Sequence, residues 1–475
     1  MKILLVKSER LTESERWVTQ PLGILYLASV ARRLGHEAEI LDLRIHSERE
    51  ALARLDRLLA AGPRLVGLSA LSHQAGVTRF IADHVRKHRP EAAIVAGGPL
   101  PFANTEYVLN ELPVDACVIG EGESAFEKII QALDAGVSLV GIPGVVTRDN
   151  VGSPQPAAIG NDLDLLPRPA WDLVDFDSYA RFLSVSLRMG RCASMLTSRG
   201  CPYRCIFCQH VHGFRFRARS PEDVLEEAAY LHGERGIPRI EVVDECFNLD
   251  TKRAVKILEG FRDRFPKLKL AFASLRGDLI DEPFVRLLKE ARCVYLTIAI
   301  ESANDRVQKM IDKHMNMEKV LAAAALLARY RIPALVYFMV GFPSEMNEEM
   351  EETFAMAEKL KGLAPAFSLA TPYPRTPLWD LVYPEGRSID PESIDAMFGY
   401  RRDASVRALE QRAARLSTRA FLHPRYWFVL VSEIRWRLFG RRGALSWKLI
   451  RRLLPRKWVE HGEKRSSRDD SRIES

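Results

Sequence analysis

The chain has 475 residues, enough for two or three domains, and its 47% apolar and 28% charged content fits folded protein with large cores. Seven cysteines are too few for a disulfide scaffold of this length, and no run reaches the ~18 apolar residues of a membrane-spanning helix. Net charge is +7, but residues 401–460 hold 16 Lys and Arg against 4 Asp and Glu, so the basic character belongs to the C-terminal region and the first 400 residues are net acidic.

Residues 3–6 read as a short buried strand, and Lys7 and Glu9 follow too soon for a signal peptide. Pro21 opens a helix running to about Arg33, which Gly35 stops. Then come a strand at 38–43, a helix at 48–60, a strand at 65–69, a helix near 77–89, and strands at 93–96 and 116–119. Strands separated by helical patterns imply βαβ units and a doubly wound parallel sheet, whose ligands bind beyond the carboxyl ends of the strands. Ser69, the Gly97-Gly98-Pro99 turn and the Gly120-Glu121-Gly122-Glu123 turn fall there. Paired glycines let a backbone approach a ligand closely, and they serve tight turns equally well.

Residues 141–190 read as a linker, interrupted by Pro143, Pro154, Pro156, Pro167 and Pro169. A second domain spans 191–385. Its first strand, 194–198, runs into Cys201-Pro202-Tyr203-Arg204-Cys205-Ile206-Phe207-Cys208. Iron–sulfur clusters are normally held by four thiolates; three at C-x3-C-x2-C spacing leave one metal position open for a substrate. A structural zinc loop would want a second ligand pair, and the sequence holds no second C-x2-C. Cys117, Cys192, Cys246 and Cys293 read as buried free thiols. A helix follows over 220–234, with Ser220 and Asp223 as a capping box. Strands at 240–244, 270–273, 294–300, 334–340 and 366–370 bring the count to six βα units, a partial barrel. In such barrels the functional positions lie at the carboxyl ends of the strands. Those ends carry Asp244 and Glu245, Arg276 and Asp278, Glu301 and Ser302, residues 341–345, and residues 371–377 with Arg375; the plain alternative for each is a solvated loop charge.

Cys201, Cys205 and Cys208, with Phe207 before the last, resemble the radical S-adenosylmethionine (SAM) motif. Pro21-Leu22-Gly23, Gly35-His36-Glu37, Leu41-Asp42, Gly97-Gly98-Pro99 and Gly120-Glu121-Gly122-Glu123 recur in this order in the cobalamin-binding domain of B12-dependent radical SAM enzymes, a likeness covering nearly all of residues 1–140. The resemblance implies that the three thiolates hold a [4Fe–4S] cluster whose open iron chelates SAM, cleaved to methionine and a 5′-deoxyadenosyl radical. It implies cobalamin against Ser69, Gly97, Gly98, Gly120, Glu121 and Gly122. It places Phe207, Asp244, Glu245, Arg276 and Glu301 around SAM, with Asp244-Glu245 where relatives have a Gly-Gly-Glu that contacts the amino group, and Glu301 on the ribose. Three departures stand out. His46 follows Asp42 at D-x3-H rather than D-x-H-x-x-G, so cobalt is expected without a His ligand; Ser344 and Arg375 stand where relatives often have Gly.

The implied function is a cobalamin-dependent radical SAM methyltransferase acting on an unactivated carbon through the deoxyadenosyl radical and methylcobalamin. The alternative is a B12-dependent cyclase or oxidative rearrangement enzyme. Intact cluster thiols and Glu301 argue against a non-catalytic cobalamin-binding regulator. A tRNA methylthiotransferase would need three N-terminal cysteines, and only Cys117 precedes residue 150. The expected partners are a small-molecule substrate and an electron donor such as flavodoxin or ferredoxin, in the cytoplasm, with no nucleic acid. Residues 386–462 read as a helical basic extension in which Phe421, Tyr426, Trp427, Phe428, Trp436, Phe439, Trp447 and Trp458 interleave with Arg and Lys. Such a mix suits packing on the barrel, the inner face of a membrane or, least of the three, nucleic acid; the membrane reading would favour a lipid-like or isoprenoid substrate. Residues 463–475 read as a disordered tail.

Overall fold

The computed structural model describes residues 1–9, 17–153, 155–157, 159–160, 162–385, 404–429 and 431–432. The first sheet comprises β1 (Lys2–Lys7), β2 (Glu37–Asp42), β3 (Leu65–Ser69), β4 (Ala93–Gly97), β5 (Ala116–Val118) and β6 (Val145–Val146), ordered β2-β1-β3-β4-β5-β6. All pairs are parallel except β5 with β6. Strand β1 shows why an unbroken apolar run forms here. Leu4 and Val6 pack with Leu55, Leu59, Ile81 and Val85 on one face, and Ile3 and Leu5 with Ile24, Ala28, Phe126 and Ile130 on the other. Helices thus cover both faces, as a doubly wound sheet requires. Helix Leu22–Arg33 starts at Pro21, and helix Glu48–Ala60 starts with a reciprocal capping box between Ser47 and Glu50.

Residues 141–190 contribute β6 to the first sheet and then tie the two halves together. Trp171, buried, donates its indole N–H to Glu227 Oε1 at 2.7 Å. Gln20 bonds the backbone of both Cys192 and Ser194 at 3.0 Å.

The second sheet comprises β7 (Ala193–Met195), β10 (Arg239–Val242), β11 (Lys269–Leu275), β12 (Cys293–Glu301), β13 (Ala334–Val340) and β14 (Ala364–Leu369), all parallel, in the order β7-β10-β11-β12-β13-β14. This open six-stranded arc is the expected partial barrel. No local pattern signals the short antiparallel pair β8 (Ser198–Arg199) and β9 (Arg217–Ala218), which closes the loop of three thiols at its base. The capping box at Ser220 is half made: Ser220 Oγ accepts from Asp223 N at 3.2 Å, but the Asp223 carboxylate turns to Arg219 Nε at 2.6 Å.

Helix Ala404–Phe421 lies along β14, with Ser417 Oγ donating to Pro365 O at 2.8 Å. The chain then sends Tyr426 under the barrel, where it packs with Ala271, Tyr295, Leu335 and Ala364 and bonds Ala334 N and O at 3.2 and 2.8 Å. The described part of the C-terminal region therefore packs on the barrel. Trp436, Phe439, Trp447, Trp458 and the 463–475 tail lie outside the described residues. Among the described residues no helix is long and apolar enough to cross a membrane.

Candidate functional site

A cavity of about 440 Å³ lies beyond the carboxyl ends of the first sheet. Ser69, Gly97, Gly98, Gly120, Glu121 and Gly122 all line it, so the fold gathers the six residues that the resemblance sets against cobalamin. Leu196, Arg199, Val211, His212 and Glu245 from the second domain complete the wall. Gly98 has φ +94°, and a Cβ there would lie 3.0 Å from Ala70 O; at Gly97 a Cβ would project into open space. His46 is not among the lining residues. Arg44 in the same stretch bonds Asp42 through Nε at 2.9 Å and Nη2 at 2.7 Å.

Glu121 lines the cavity, but arginines hold its carboxylate. Arg217 binds it through both terminal nitrogens, one at 3.0 Å, and Arg199 lies 3.2 Å away. Arg199 also pairs with Glu123 at 2.6 Å. Burial raises the Glu121 pKa, but the hydrogen bonds from Arg217 and the charge of Arg199 outweigh it and hold the group below the usual carboxylate value. These four side chains join the Gly120–Glu123 turn to the strands on either side of the cluster loop. The sequence carried no signal for this joint, because the partners are about 80 to 100 residues apart.

The cluster loop is held at several points. Gly200 has φ +82°, and a Cβ there would meet Arg215 O at 2.2 Å, so only glycine fits before Cys201. Cys201 N donates to Gly213 O at 3.3 Å, Ile206 N to Ile311 O at 3.1 Å, and Leu378 N to Ile206 O at 2.9 Å. Phe207 packs against Phe342 with ring centroids 5.9 Å apart. The thiols divide into two kinds. Cys205 and Cys208 are hydrogen-bonded to each other; Cys205 accepts and its pKa is lowered, while that of Cys208 is raised. Burial lifts Cys117, Cys192, Cys246 and Cys293 to about 12, as expected of inert core thiols.

At the strand ends the structure separates neighbours. Asp244 is buried with both oxygens taken: Oδ1 accepts from Thr197 N at 2.6 Å, and Oδ2 from Thr197 Oγ1 at 2.5 Å and Ser198 Oγ at 2.6 Å. Its pKa is raised by burial despite these bonds. Glu245, next in sequence, faces the cavity, with Oε1 3.2 Å from His212 Nδ1. Arg276 is also held in place by several neighbours. It bonds Lys313 O at 3.1 Å, pairs with Asp278 at 2.8 Å and stacks 3.6 Å from the Tyr203 ring centre in the cluster loop. Glu301 ends β12 at φ +69° and is bound through Oε1 by Lys313 Nζ at 2.7 Å. Sequence reading missed Lys313, whose charge lies twelve residues beyond its partner.

Comparison with known proteins agrees with this geometry. The radical SAM superfamily profile matches residues 195–357, and the B12 binding domain profile matches residues 16–130. An uncharacterized methyltransferase of Pyrococcus horikoshii is 33% identical over 394 residues, 80% of this chain and 83% of that protein. The chain belongs to the cobalamin-binding radical SAM family. Cytidylyl-2-hydroxyethylphosphonate methyltransferase of Streptomyces wedmorensis is 26% identical over 414 residues, 74% of this chain and 76% of its own. An anaerobic magnesium-protoporphyrin IX monomethyl ester cyclase of Rubrivivax gelatinosus is 25% identical over 372 residues, 76% of this chain and 65% of its own. The structure of the radical SAM methyltransferase TsrM from Kitasatospora setae shares the fold, with TM-score 0.66 at 21% identity over 81% of this chain and 76% of that one.

The cofactors of this cobalamin-binding radical SAM protein are a [4Fe–4S] cluster, SAM and cobalamin. Its own residues fit them. Three thiols share one fixed loop, and the glycine wall leaves room beside Gly97 that any side chain there would fill.

Proposed function

We propose that the protein is a methyltransferase acting on an unactivated carbon of a small molecule. One observation carries the reading: the glycine wall of the first domain and Glu245, His212 and Arg199 of the second line a single cavity. The most identical of the relatives named above is called a methyltransferase, which supports it. When bound, the three cofactors supply one-electron cleavage of SAM and a methyl carrier on cobalt.

The chain's own contribution is placement. Glycines 97, 98, 120 and 122 admit a flat ring against the backbone. Arg199 and Arg217, bound to Glu121 and Glu123, hold the Gly120–Glu123 turn to the strands flanking the cluster loop and would so set how far a ring seated there lies from it. Lys313 engages only Oε1 of Glu301, so Oε2 remains to accept from ribose hydroxyls. Glu245 offers a cavity-facing carboxylate to the SAM amino group. Asp244 and Arg276 hold the cluster loop from below through Thr197, Ser198 and Tyr203.

The test is anaerobic reconstitution with iron, sulfide and hydroxocobalamin, then turnover with SAM and a reductant. Cobalamin-dependent formation of both S-adenosylhomocysteine and 5′-deoxyadenosine supports methyl transfer. Deoxyadenosine without S-adenosylhomocysteine during substrate turnover would move the protein to the cyclase type of its Rubrivivax relative. A flavodoxin or ferredoxin donor belongs to the same reading. So does contact of the basic C-terminal region with a membrane, which would be dropped if the protein failed to co-sediment with anionic vesicles at low salt.

A further inference from the structure

The loop after β14 carries a charge that the reading above leaves unused. Arg375 has φ +63°, in the left-handed region that suits glycine and strains other residues. Its neighbours are fixed. Pro374 O accepts from Gln209 Nε2 at 3.1 Å, and Gln209 directly follows Cys208. Thr376 Oγ1 donates to Tyr373 O at 2.6 Å and accepts from Trp379 N at 3.2 Å. The Arg375 guanidinium reaches the other domain, 3.5 Å from Thr105 Oγ1 and 5.2 Å from the centre of the Phe102 ring. Phe102 and Thr105 lie just beyond Gly97-Gly98. The cation therefore stands on the seam between the cluster loop and the cobalamin wall.

It stands there uncompensated. Among the described residues no carboxylate lies within ion-pairing distance of Arg375, whereas Arg199, Arg217, Arg219 and Arg276 each have one. Partial burial with no opposing charge holds its pKa below the ordinary arginine value. An exposed guanidinium with no carboxylate partner among the described residues, on a loop whose neighbours are fixed, favours an incoming oxyanion, which it can grip through two parallel N–H bonds.

We propose that Arg375 receives a carboxylate or phosphate group of the small molecule that enters between the two domains. This names the substrate class of the site proposed above, and it rests on that reading. A neutral isoprenoid does not satisfy it.

The experiment uses anaerobic holoenzyme, SAM carrying a CD3 group, and a small-molecule extract of the source cells split by anion exchange into retained and unretained fractions. The CD3 label is expected in the retained fraction. Arg375→Gln should give more than tenfold less at limiting extract, and Arg375→Lys should recover part of it, with iron and cobalamin content unchanged in both. Prior phosphatase treatment separates the two sources: label lost means phosphate, label kept means carboxylate. Label confined to the unretained fraction, or equal labelling by Arg375→Gln, overturns the anion receptor and leaves methyl transfer standing. Loss of bound cobalamin in Arg375→Gln would make Arg375 an interdomain strap and also overturns it. No label anywhere, with no S-adenosylhomocysteine formed, overturns the methyl-transfer reading and this proposal with it.

Discussion

On the cobalamin side the cavity wall combines bare backbone turns with apolar side chains: Gly97, Gly98, Gly120 and Gly122 present no side chains, and Leu22, Tyr26, Leu27 and Phe126 line the space between them. On the cluster side nearly every functional group is a side chain held by another side chain: Thr197 and Ser198 on Asp244, Lys313 on Glu301, Tyr203 on Arg276. The difference follows from what each half must hold. A large flat ring needs room and close backbone approach, whereas a small cluster and a flexible nucleoside need fixed donors and acceptors. Two consequences follow. The first wall should fail by filling, and the second by losing a partner.

The largest effect should come from the cluster side. Cys201→Ala is expected to abolish the cluster and all SAM cleavage while cobalamin still binds. Iron and sulfide content and the cobalamin spectrum of the same sample check both halves, and loss of cobalamin too would show that the two cradles are not separate. Next is the joint between them. Arg199→Met leaves the half-buried Glu123 carboxylate without its cation, which costs at most what a fully buried pair would, about 3–5 kcal/mol. A fall in the thermal midpoint of several degrees is expected, and an unchanged midpoint would deny the joint any structural weight. On the backbone side, Gly98→Val places a branched side chain at φ +94° against Ala70 O. Cobalamin affinity should fall at least tenfold, about 1.4 kcal/mol, with cluster content unchanged; equilibrium dialysis against hydroxocobalamin reads it.

Two smaller effects sharpen the contrast. Asp42 and Asp244 are buried carboxylates at corresponding strand ends, yet they are shifted in opposite directions. Burial raises both, but at Asp42 the charge and hydrogen bonds of Arg44 and the hydroxyl of Tyr179 prevail and the pKa is lowered. A folded-state value below the unfolded one means that Asp42 contributes stability fully above about pH 4 and loses it as the pH falls through the folded value. Asp42→Asn should therefore be less stable than the parent at pH 7, with the gap closing on acidification below pH 4; a gap independent of pH would contradict the ion pair. The smallest change is expected at the floor of the barrel. Tyr426→Phe removes a pair of hydrogen bonds to Ala334, worth about 1–2 kcal/mol, and should lower the thermal midpoint by a few degrees without touching either cofactor.

Much of this was legible in the sequence, for identifiable reasons. The parallel sheets could be read because their strands are unbroken apolar runs between helical patterns, which is what burial on both faces demands. The loop of three thiols could be read because they lie within eight residues. Glu121 illustrates the limit. Its place beside the glycines was visible, but not that its carboxylate is given over to Arg199 and Arg217. Asp244 and Glu245 stood side by side in the sequence until the turn after β10 sent one into the Thr197–Ser198 bonds and the other toward the cavity. The linker reading of residues 141–190 took the segment up to Trp171 as the one that joins the two domains but gave no hint of β6, since two-residue strands leave no periodicity.

The sequence by itself determined the two sheets, the cluster loop and the glycine turns, because each is encoded by neighbours: alternation, thiol spacing, and residues able to take positive φ. Tertiary structure alone decided which charges are spent and which are free. Ion pairs such as Arg199 with Glu123 or Lys313 with Glu301 depend on distances across the fold, to which local pattern is blind. So does the exposed guanidinium of Arg375, whose meaning comes from the absence of a carboxylate partner among the described residues.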